Sequence, residues 1–169
     1  MGMPAKLKHF NVFLDGQSYI GETGELTLPK LTRKMEEWRG GGMVGPAKYD
    51  FGIEAMELEW SLGGIERNML NKWGAQTVDG VMLRFSGAYQ DDKNDEWIAV
   101  EIVVRGRYSE VDFGTAKAGD DTTTKATMAL TYYKLAINGE TVIEIDTTNF
   151  IEVVGGVDAL AQVRKILGI

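Results

Sequence analysis

Strict alternation of apolar and polar residues is the feature that most limits how this chain can fold. Residues 54–62 alternate most clearly, with four apolar side chains on one side and polar ones between them: Met56, Leu58, Trp60 and Leu62 against Glu57, Glu59 and Ser61. Because successive side chains of a β-strand point to opposite faces, this pattern predicts a strand with one buried face. Residues 81–90 and 97–107 alternate in the same way. We therefore expect an antiparallel sheet with one face on the core.

Short turn sequences separate the predicted strands. Asp15-Gly16 and Asn138-Gly139 are pairs in which both residues tolerate positive φ, which favours tight β-hairpins. A polar tip at residues 91–96 joins two of the alternating segments. Further strands are predicted at residues 10–14, 123–137 and 141–145, with Tyr19 and Ile20 beginning the return strand of the first hairpin and residues 1–8 forming an arm before it.

Two short segments have helical rather than strand spacing. Residues 65–73 bring Ile65, Met69, Leu70 and Trp73 to one side of a helix. A last helix is expected from the capping residue Asp158 through Ile166, ended by Gly168. With about eight or nine strands, the chain is predicted to be one mainly β domain over residues 1–169. The expected fold is an antiparallel β-sandwich or partly open barrel with one central and one C-terminal short helix.

Residues 40–52 have no evident place inside such a domain. The charged residues before them, up to Arg39, suggest an exposed strand, but this segment is too long for a tight turn and too rich in glycine for a helix. We therefore expect an extended loop arm. Exposed apolar side chains on a long loop usually indicate that another chain covers them. The arm carries Met43, Val44, Pro46, Tyr49 and Phe51.

Composition excludes several functional classes. A net charge of -7 argues against general nucleic-acid binding, which requires a basic surface. The chain has no cysteine, so thiol catalysis, disulfides and thiolate metal sites are excluded. Residues 1–9 lack the apolar segment of a signal peptide, and no segment approaches the roughly 20 apolar residues of a membrane span. We expect a protein that is made and folded in a cytoplasm.

The residues that could carry chemistry do not form a recognisable site. Gly40, Gly42 and Gly45 have the spacing of a dinucleotide-binding loop, but Pro46 follows them where that fold needs a helix N-terminus. His9 is the single histidine, which removes the usual triads and zinc sites. We predict no catalytic, cofactor-binding or metal-binding residue.

Acidic residues and tryptophans have simpler interpretations. The cluster at residues 91–96 lacks the glycine and spacing of a calcium-binding loop and is expected to be a solvated tip. Trp60 and Trp73 lie in phase with core residues, whereas Trp38 and Trp97 are out of phase and suit an interface. Several predicted strands have a polar face, which is either solvated or the lining of a channel, and Glu57, Glu59 and Glu101 on it could alternatively form a carboxylate hydrolase site. The residues of this polar face are Glu57, Glu59, Arg84, Gln90, Glu101 and Arg105.

Several short strings, correctly ordered along almost the whole chain, indicate a family. They are NVFLDG (11–16), LTLPKLTRK (26–34), WRGGGM (38–43), MELEWSLGG (56–64), VRGRYSEVDFG (104–114), YYKLAING (132–139), EIDTTN (144–149) and GVDAL (156–160). With these strings the chain resembles the major tail tube protein of contractile-tailed bacteriophages and the tube protein of R-type pyocins. Gly155 departs from the asparagine expected there, which concerns only the turn before the last helix.

This resemblance implies a mechanical protein without catalytic activity or cofactors. Such subunits form hexameric rings that stack into a hollow tube, in which one sheet of each subunit joins its neighbours around the bore. The arm would reach an adjacent ring, and we expect the polar faces to line the lumen, where negative charge would keep DNA from adhering. Implied partners are further copies of the chain, a tail sheath protein, the baseplate and a tape-measure protein, with DNA passing through the bore.

The same resemblance implies that contraction of the sheath drives the tube through the envelope of the target cell. A type VI secretion tube component has the same architecture without these strings and is the main alternative. A monomeric ligand-binding β-barrel is another, but it would leave the arm unexplained.

Overall fold

The alternating segments become paired strands throughout residues 2–169, the part of the chain that the computed structural model describes. The strands are β1 (Lys6–Leu14), β2 (Gln17–Ser18), β3 (Thr23–Thr27), β4 (Arg33–Trp38), β5 (Ala47–Ile53), β6 (Met56–Leu62), β7 (Val81–Gln90), β8 (Trp97–Asp112), β9 (Thr124–Ile137), β10 (Glu140–Asp146), β11 (Ile151–Val154) and β12 (Val157–Asp158). The helices are α1 (Arg67–Asn71), continued by a 3-10 turn at Lys72–Gly74, and α2 (Ala161–Leu167). The predicted mainly β class with a central and a C-terminal short helix is confirmed.

One antiparallel sheet contains most of the strands, and β9 organises it. The strand order is β12-β11-β10-β9-β8-β7-β1-β2, with β6 also paired to β9 and β3 to β6. Residues 124–130 of β9 pair with β6, whereas residues 132–137 pair with β10, and β8 follows β9 along both parts. The sheet therefore has two parts. The first part, which we call the wide half, contains β1, β7, β10 and β11 together with the ends of β8 and β9 that pair with them. The second part, which we call the narrow half, contains β3 and β6 together with the other ends of β8 and β9.

Gly106 marks the boundary between the two halves. The register between β8 and β9 shifts here, because Arg105 pairs with Tyr132 and Gly106 pairs with Leu130. A Cβ atom at Gly106 would lie 2.1 Å from the carbonyl oxygen of Ala129, so any side chain would overlap the neighbouring backbone. Such irregularities bend a sheet and increase its twist. The bend at Gly106 allows the two halves to face each other.

A single hydrophobic core lies between the halves. Met56, Leu58, Trp60 and Leu62 of β6 are each at most 2% exposed, which confirms the alternation predicted for that strand. They belong to one buried cluster with side chains of the wide half: Val12, Leu14, Val81, Leu83, Phe85, Ile102 and Val104. Burying one large aliphatic or aromatic side chain stabilises a fold by about 1.5–3 kcal/mol. This shared core makes the two halves the layers of a sandwich.

Tight turns connect the strands largely as predicted. Asp15 has a φ of 47° and Asn138 a φ of 51°, each followed by a glycine that also has positive φ. Gly155 and Gly156 form the turn from β11 to β12 with φ values of 60° and 82°. Since asparagine and glycine both tolerate this conformation, glycine at position 155 preserves the turn.

Some boundaries differ from the prediction. The return strand of the first hairpin is Gln17–Ser18, so Tyr19 and Ile20 lie beyond it rather than beginning it. Residues 6–8, assigned to the N-terminal arm, belong to β1, where Lys6 pairs with Gln90. The arm prediction also included Met1, which lies outside the described residues. The short strands β11 and β12 were not predicted.

The central helix also differs from its predicted extent. Residues 65 and 66 precede α1, and the helix changes to a 3-10 turn at Lys72. A 3-10 turn has three residues per turn instead of 3.6, so Trp73 rotates out of the apolar phase of the helix. Trp73 is 54% exposed, and its prediction as a core residue is wrong.

Candidate assembly surfaces

The β4–β5 hairpin forms a separate two-stranded sheet and is the main candidate surface. Arg33 pairs with Ile53 at its base, and Trp38 pairs with Ala47 next to the loop at residues 39–46. The predicted loop arm over residues 40–52 is therefore wrong for residues 47–52, which belong to β5. Glycines suggested a loop, but Gly52 lies within the strand at a φ of 111°, beside a register shift. Alternation of apolar and polar residues in 47–51 is the pattern that could have identified β5.

One face of the hairpin is aromatic. Glu36 pairs with Tyr49 and Trp38 with Ala47, so Trp38 and Tyr49 share a face, and Phe51 follows Tyr49 by one strand period. Trp38, Tyr49 and Phe51 are 59%, 52% and 63% exposed. The same register places Glu36 on this face, opposite Tyr49. Three exposed aromatic side chains grouped on one face are typical of an interaction site.

The remaining predicted arm residues lie in or beside the loop of the hairpin. Val44 is completely exposed, and Pro46 is exposed as well. Met43 is half-buried, and its Sδ accepts a hydrogen bond from the backbone N–H of Gly40 at 3.0 Å. Val44 therefore forms the apolar tip of the hairpin, while Met43 stabilises the loop from within.

Arg33 connects the base of the hairpin to the sandwich. Its Nη1 donates to Oδ2 of Asp50 on β5 at 2.9 Å, and its Nη2 donates to Oε1 of Glu152 on β11. The hydrogen bond to Glu152 is the main reason why the pKa of Arg33 is raised above its ordinary value. Beside it, the backbone N–H of Glu54 donates to the carbonyl of Thr32 at 2.8 Å. The hairpin thus leaves the sandwich through a narrow base.

The six predicted lumen residues fall on two different surfaces. Glu57 and Glu59 lie on β6 in the narrow half, and the other four lie on β7 and β8 in the wide half. Glu59 pairs with Thr127, whereas Glu101 pairs with Ala136 on the same strand. Nine residues of β9, from 127 to 136, lie between these two positions, which is about 30 Å measured along the strand. Because the sheet bends between them and both halves cover one core, the two polar faces point in different directions.

The narrow half presents an acidic groove. Glu57, Glu59 and Glu110 line it together with the segment that connects β3 to β4, which contributes Lys30. Lys125 lies 3.9 Å from Glu59, whereas neither Glu57 nor Glu110 has an ion-pair partner among residues 2–169. Three carboxylates against the two amines of Lys30 and Lys125 leave the groove with a net negative charge, which disfavours a polyanion at close range.

The polar face of the wide half has a balanced charge. Arg84 lies over the ring of Phe13, with its guanidinium carbon 4.1 Å from the ring centroid. Tyr132 donates to Oε2 of Glu144 at 3.1 Å, and burial, followed by the charge of Glu144, raises the pKa of Tyr132 to about 12. Strand register places three basic and three acidic residues on the β7–β10 part of this face: Arg84, Arg105 and Lys134 with Glu101, Glu144 and Asp146.

The polar tip between β7 and β8 closes one end of this face. Gln90 donates to Oδ1 of Asp95 at 3.2 Å, and Asp91 accepts from the backbone N–H of Lys93 at 2.7 Å. The tip is a hairpin turn, as predicted. Within residues 2–169 no group of three or more metal-ligating side chains is arranged to hold an ion, and no helix is long and apolar enough to cross a membrane.

Sequence comparison gives close relatives along the full length of the chain. The family model described as phage tail tube protein FII matches residues 4–168. The tail tube protein of Escherichia phage P2 is 48% identical over 172 residues, covering 100% of both chains. The major tail tube protein of Serratia phage KSP20 is 39% identical over 153 residues, covering 89% of this chain and 88% of that protein.

Solved structures show the same fold at low sequence identity. A chain from the sheath-tube complex of the extracellular contractile injection system PVC, in its extended state, aligns with a TM-score of 0.60 at 12% identity over 79% of this chain and 91% of that chain. A chain from the 6-fold symmetrised baseplate of the anti-feeding prophage aligns with a TM-score of 0.61 at 11% identity. The alignment covers 80% of this chain and 97% of that chain. At these identities the likeness concerns the fold.

Proposed function

We propose, for a chain that belongs to the phage tail tube protein FII family and is a structural component of the virion tail, a role as the repeating unit of a tube. Its copies would form hexameric rings, and the rings would stack through the β4–β5 hairpin into a hollow tube. The aromatic face of the hairpin is the observation that carries this proposal. A lone two-stranded hairpin is marginally stable in water, and this one exposes Trp38, Tyr49 and Phe51. A neighbouring copy that covers these rings would bury them and fix the hairpin.

The proposed ring has six subunits, and its partners follow from its place in the tail. A neighbour in fold comes from a 6-fold symmetrised baseplate, and another from a sheath-tube complex. We therefore propose a surrounding sheath whose contraction drives the tube through the target envelope, with a baseplate at one end and a tape-measure protein in the bore. The tube either carries DNA or opens a pore. No step in this role requires a catalytic residue or a cofactor.

The bore is proposed to be lined by the narrow half. Its groove carries Glu57, Glu59 and Glu110, and the β4–β5 hairpin continues directly from β3 and β6 of the same half. In this arrangement the hairpin points toward the next ring, and these strands lie beside the tube axis. The unpaired carboxylates of Glu57 and Glu110 would repel DNA phosphates there and reduce adhesion during transit. The balanced face with Arg84, Glu101 and Arg105 would then point away from the bore, with Gln90 at its end.

Cysteine labelling of assembled tubes tests this assignment. The chain has no cysteine, so Glu59→Cys and Glu101→Cys each introduce a single thiol. We expect a small maleimide to label both variants, because both faces are in contact with solvent. A maleimide attached to a polymer too large for the bore should label only Glu101→Cys. The opposite pattern, or equal labelling of both variants by the large reagent, would overturn the assignment.

Electron microscopy of the purified protein tests the proposed function itself. Negative staining over a range of concentrations is expected to show rings and hollow tubes of uniform width. The number of subunits in a ring can be counted in end-on views and should be six. A protein that stays monomeric at every concentration, even after tail baseplates are added as initiators, would contradict self-assembly.

A further inference from the structure

We propose that Arg33 is a positioning residue that holds the β4–β5 hairpin at the angle required for stacking. The inference rests on the proposed stacking role of the hairpin and names the contact on which that role depends. Arg33 is the first residue of β4, the point at which the chain leaves the sandwich. Its guanidinium connects three elements, because β4 carries it while β5 and β11 supply the two carboxylates.

The two ion pairs of Arg33 differ in burial and therefore in strength. Asp50 has a side-chain exposure of 42%, so its pair with Arg33 is close to solvent and weak by itself. Glu152 is only 8% exposed, and its ion-pair partner among residues 2–169 is Arg33. Removing Arg33 would leave a buried carboxylate without a counter-charge, which is strongly unfavourable. The pair with the buried Glu152 anchors the guanidinium, and the pair with the exposed Asp50 transmits that anchoring to the second strand of the hairpin.

Few other contacts fix the hairpin to the sandwich. Its strands form a separate sheet, so no ladder of backbone hydrogen bonds continues into the wide half. The packing of Ile53 against the core remains, beside a small apolar groove that Leu31 and Ile53 line. The Glu54–Thr32 backbone bond joins the two stems of the hairpin to each other. Residues 28–32, which lead into β4, are in neither a strand nor a helix. Without Arg33, the hairpin is expected to pivot at Thr32 and Glu54. Because a lone two-stranded hairpin is marginally stable, its β4–β5 pairing should then also open more often.

Arginine suits this position better than lysine does. A planar guanidinium presents several N–H donors in a fixed fork, so it can bind two carboxylates at a defined angle. A lysine ammonium is a point charge on a flexible chain and would neutralise Glu152 without fixing Asp50. Arg33→Lys therefore separates the neutralisation of Glu152 from the positioning of the hairpin. It keeps a positive charge beside the buried carboxylate but cannot bind Glu152 and Asp50 at a fixed angle. Arg33→Gln with Glu152→Gln removes the guanidinium and the buried carboxylate together.

Hydrogen exchange and assembly measurements test the proposal. In protein kept below its assembly concentration, both variants should exchange faster in residues 33–54, while the β6 and β9 amides keep wild-type rates. The concentration needed for tube formation should rise about tenfold or more in the double variant, because stacking must then order the hairpin, and by less in Arg33→Lys. Lys72→Gln is the matched control, since it removes the Lys72–Asp15 pair, which is similarly exposed and lies outside the hairpin. It should match the wild type.

The possible outcomes show separately whether the positioning role of Arg33 or the stacking role of the hairpin is wrong. Wild-type exchange and assembly in both Arg33 variants would overturn the positioning role. Faster exchange in β6 and β9 as well would show that the ion pair serves the fold rather than the hairpin, and would also overturn it. If variants without the aromatic face still form tubes, the stacking role itself fails. If those variants fail to assemble while the Arg33 variants assemble normally, only the positioning role is wrong.

Discussion

Replacing Trp38, Tyr49 and Phe51 together by serine is expected to abolish tube formation while the subunit still folds. All three rings are more than half exposed, and surface substitutions usually change stability by no more than about 0.5 kcal/mol each. At an interface, by contrast, truncating an aromatic anchor costs about 2 kcal/mol or more. Even if these costs are not additive, losing three anchors from each repeated contact would raise the assembly concentration by several orders of magnitude. Negative-stain microscopy measures tube formation, and far-ultraviolet circular dichroism measures separately whether the subunit is folded.

A matched control distinguishes the hairpin from exposed aromatic residues in general. Trp73→Ser removes a tryptophan of similar exposure, 54%, that lies outside the hairpin, and tubes should form normally. Deleting residues 43–51 is a more severe variant that should also fold without assembling. Normal tubes from either hairpin variant would refute its role in stacking. Loss of the circular dichroism spectrum in the serine variant would show that the rings stabilise the fold instead.

Gly106→Ala is expected to destabilise the fold strongly, although it adds only one methyl group. Its Cβ atom would lie 2.1 Å from the carbonyl oxygen of Ala129, a backbone atom that cannot move without breaking the β8–β9 pairing. Overpacking usually lowers the free energy of unfolding by about 1–3 kcal/mol. Because the clash here is with the backbone, we expect a loss at or above the upper end of that range. For a domain of this size, about 3 kcal/mol corresponds to a lower melting temperature by roughly 6–12 °C.

Gly24→Ala is the appropriate comparison for this substitution. Gly24 lies in β3, and its Cβ atom would be 3.8 Å from the nearest backbone atom, the carbonyl oxygen of Ser61. This change should leave the melting temperature within a few degrees of the wild type. Equal melting temperatures for the two variants, measured by differential scanning calorimetry, would mean that the β8–β9 crossing relaxes easily and that Gly106 is not required for the bend.

Side-chain alternation predicted the core of this protein because it reports directly on which face of a strand is buried. The four apolar residues of β6 and the first three inward residues of β7 are all buried as expected. Glycine content was a poorer guide to the hairpin, since Gly52 occurs inside a strand at an irregular position. Trp73 was misplaced because one turn of 3-10 helix rotates it away from the side occupied by the buried Met69.

The polar faces illustrate a limit of the same reasoning. Alternation identifies the residues opposite the core, and Glu57, Glu59, Glu101 and Arg105 all lie opposite core residues. It does not reveal the direction of that face after a sheet has bent. The bend depends on the contact between Gly106 and Ala129, residues that are 23 positions apart (106 to 129) and are brought together only by the fold. The separation of these residues into two surfaces therefore required the structure.

The hairpin also gives the proposed tube a direction. An isologous contact between two hairpins would join two rings and leave no hairpin for a third, so continued stacking requires each hairpin to enter a different surface on the next ring. Every finished tube then has one end with uncovered aromatic hairpins and one end with vacant receiving surfaces. The two ends need caps of different kinds, and growth can be started at one end and stopped at the other independently.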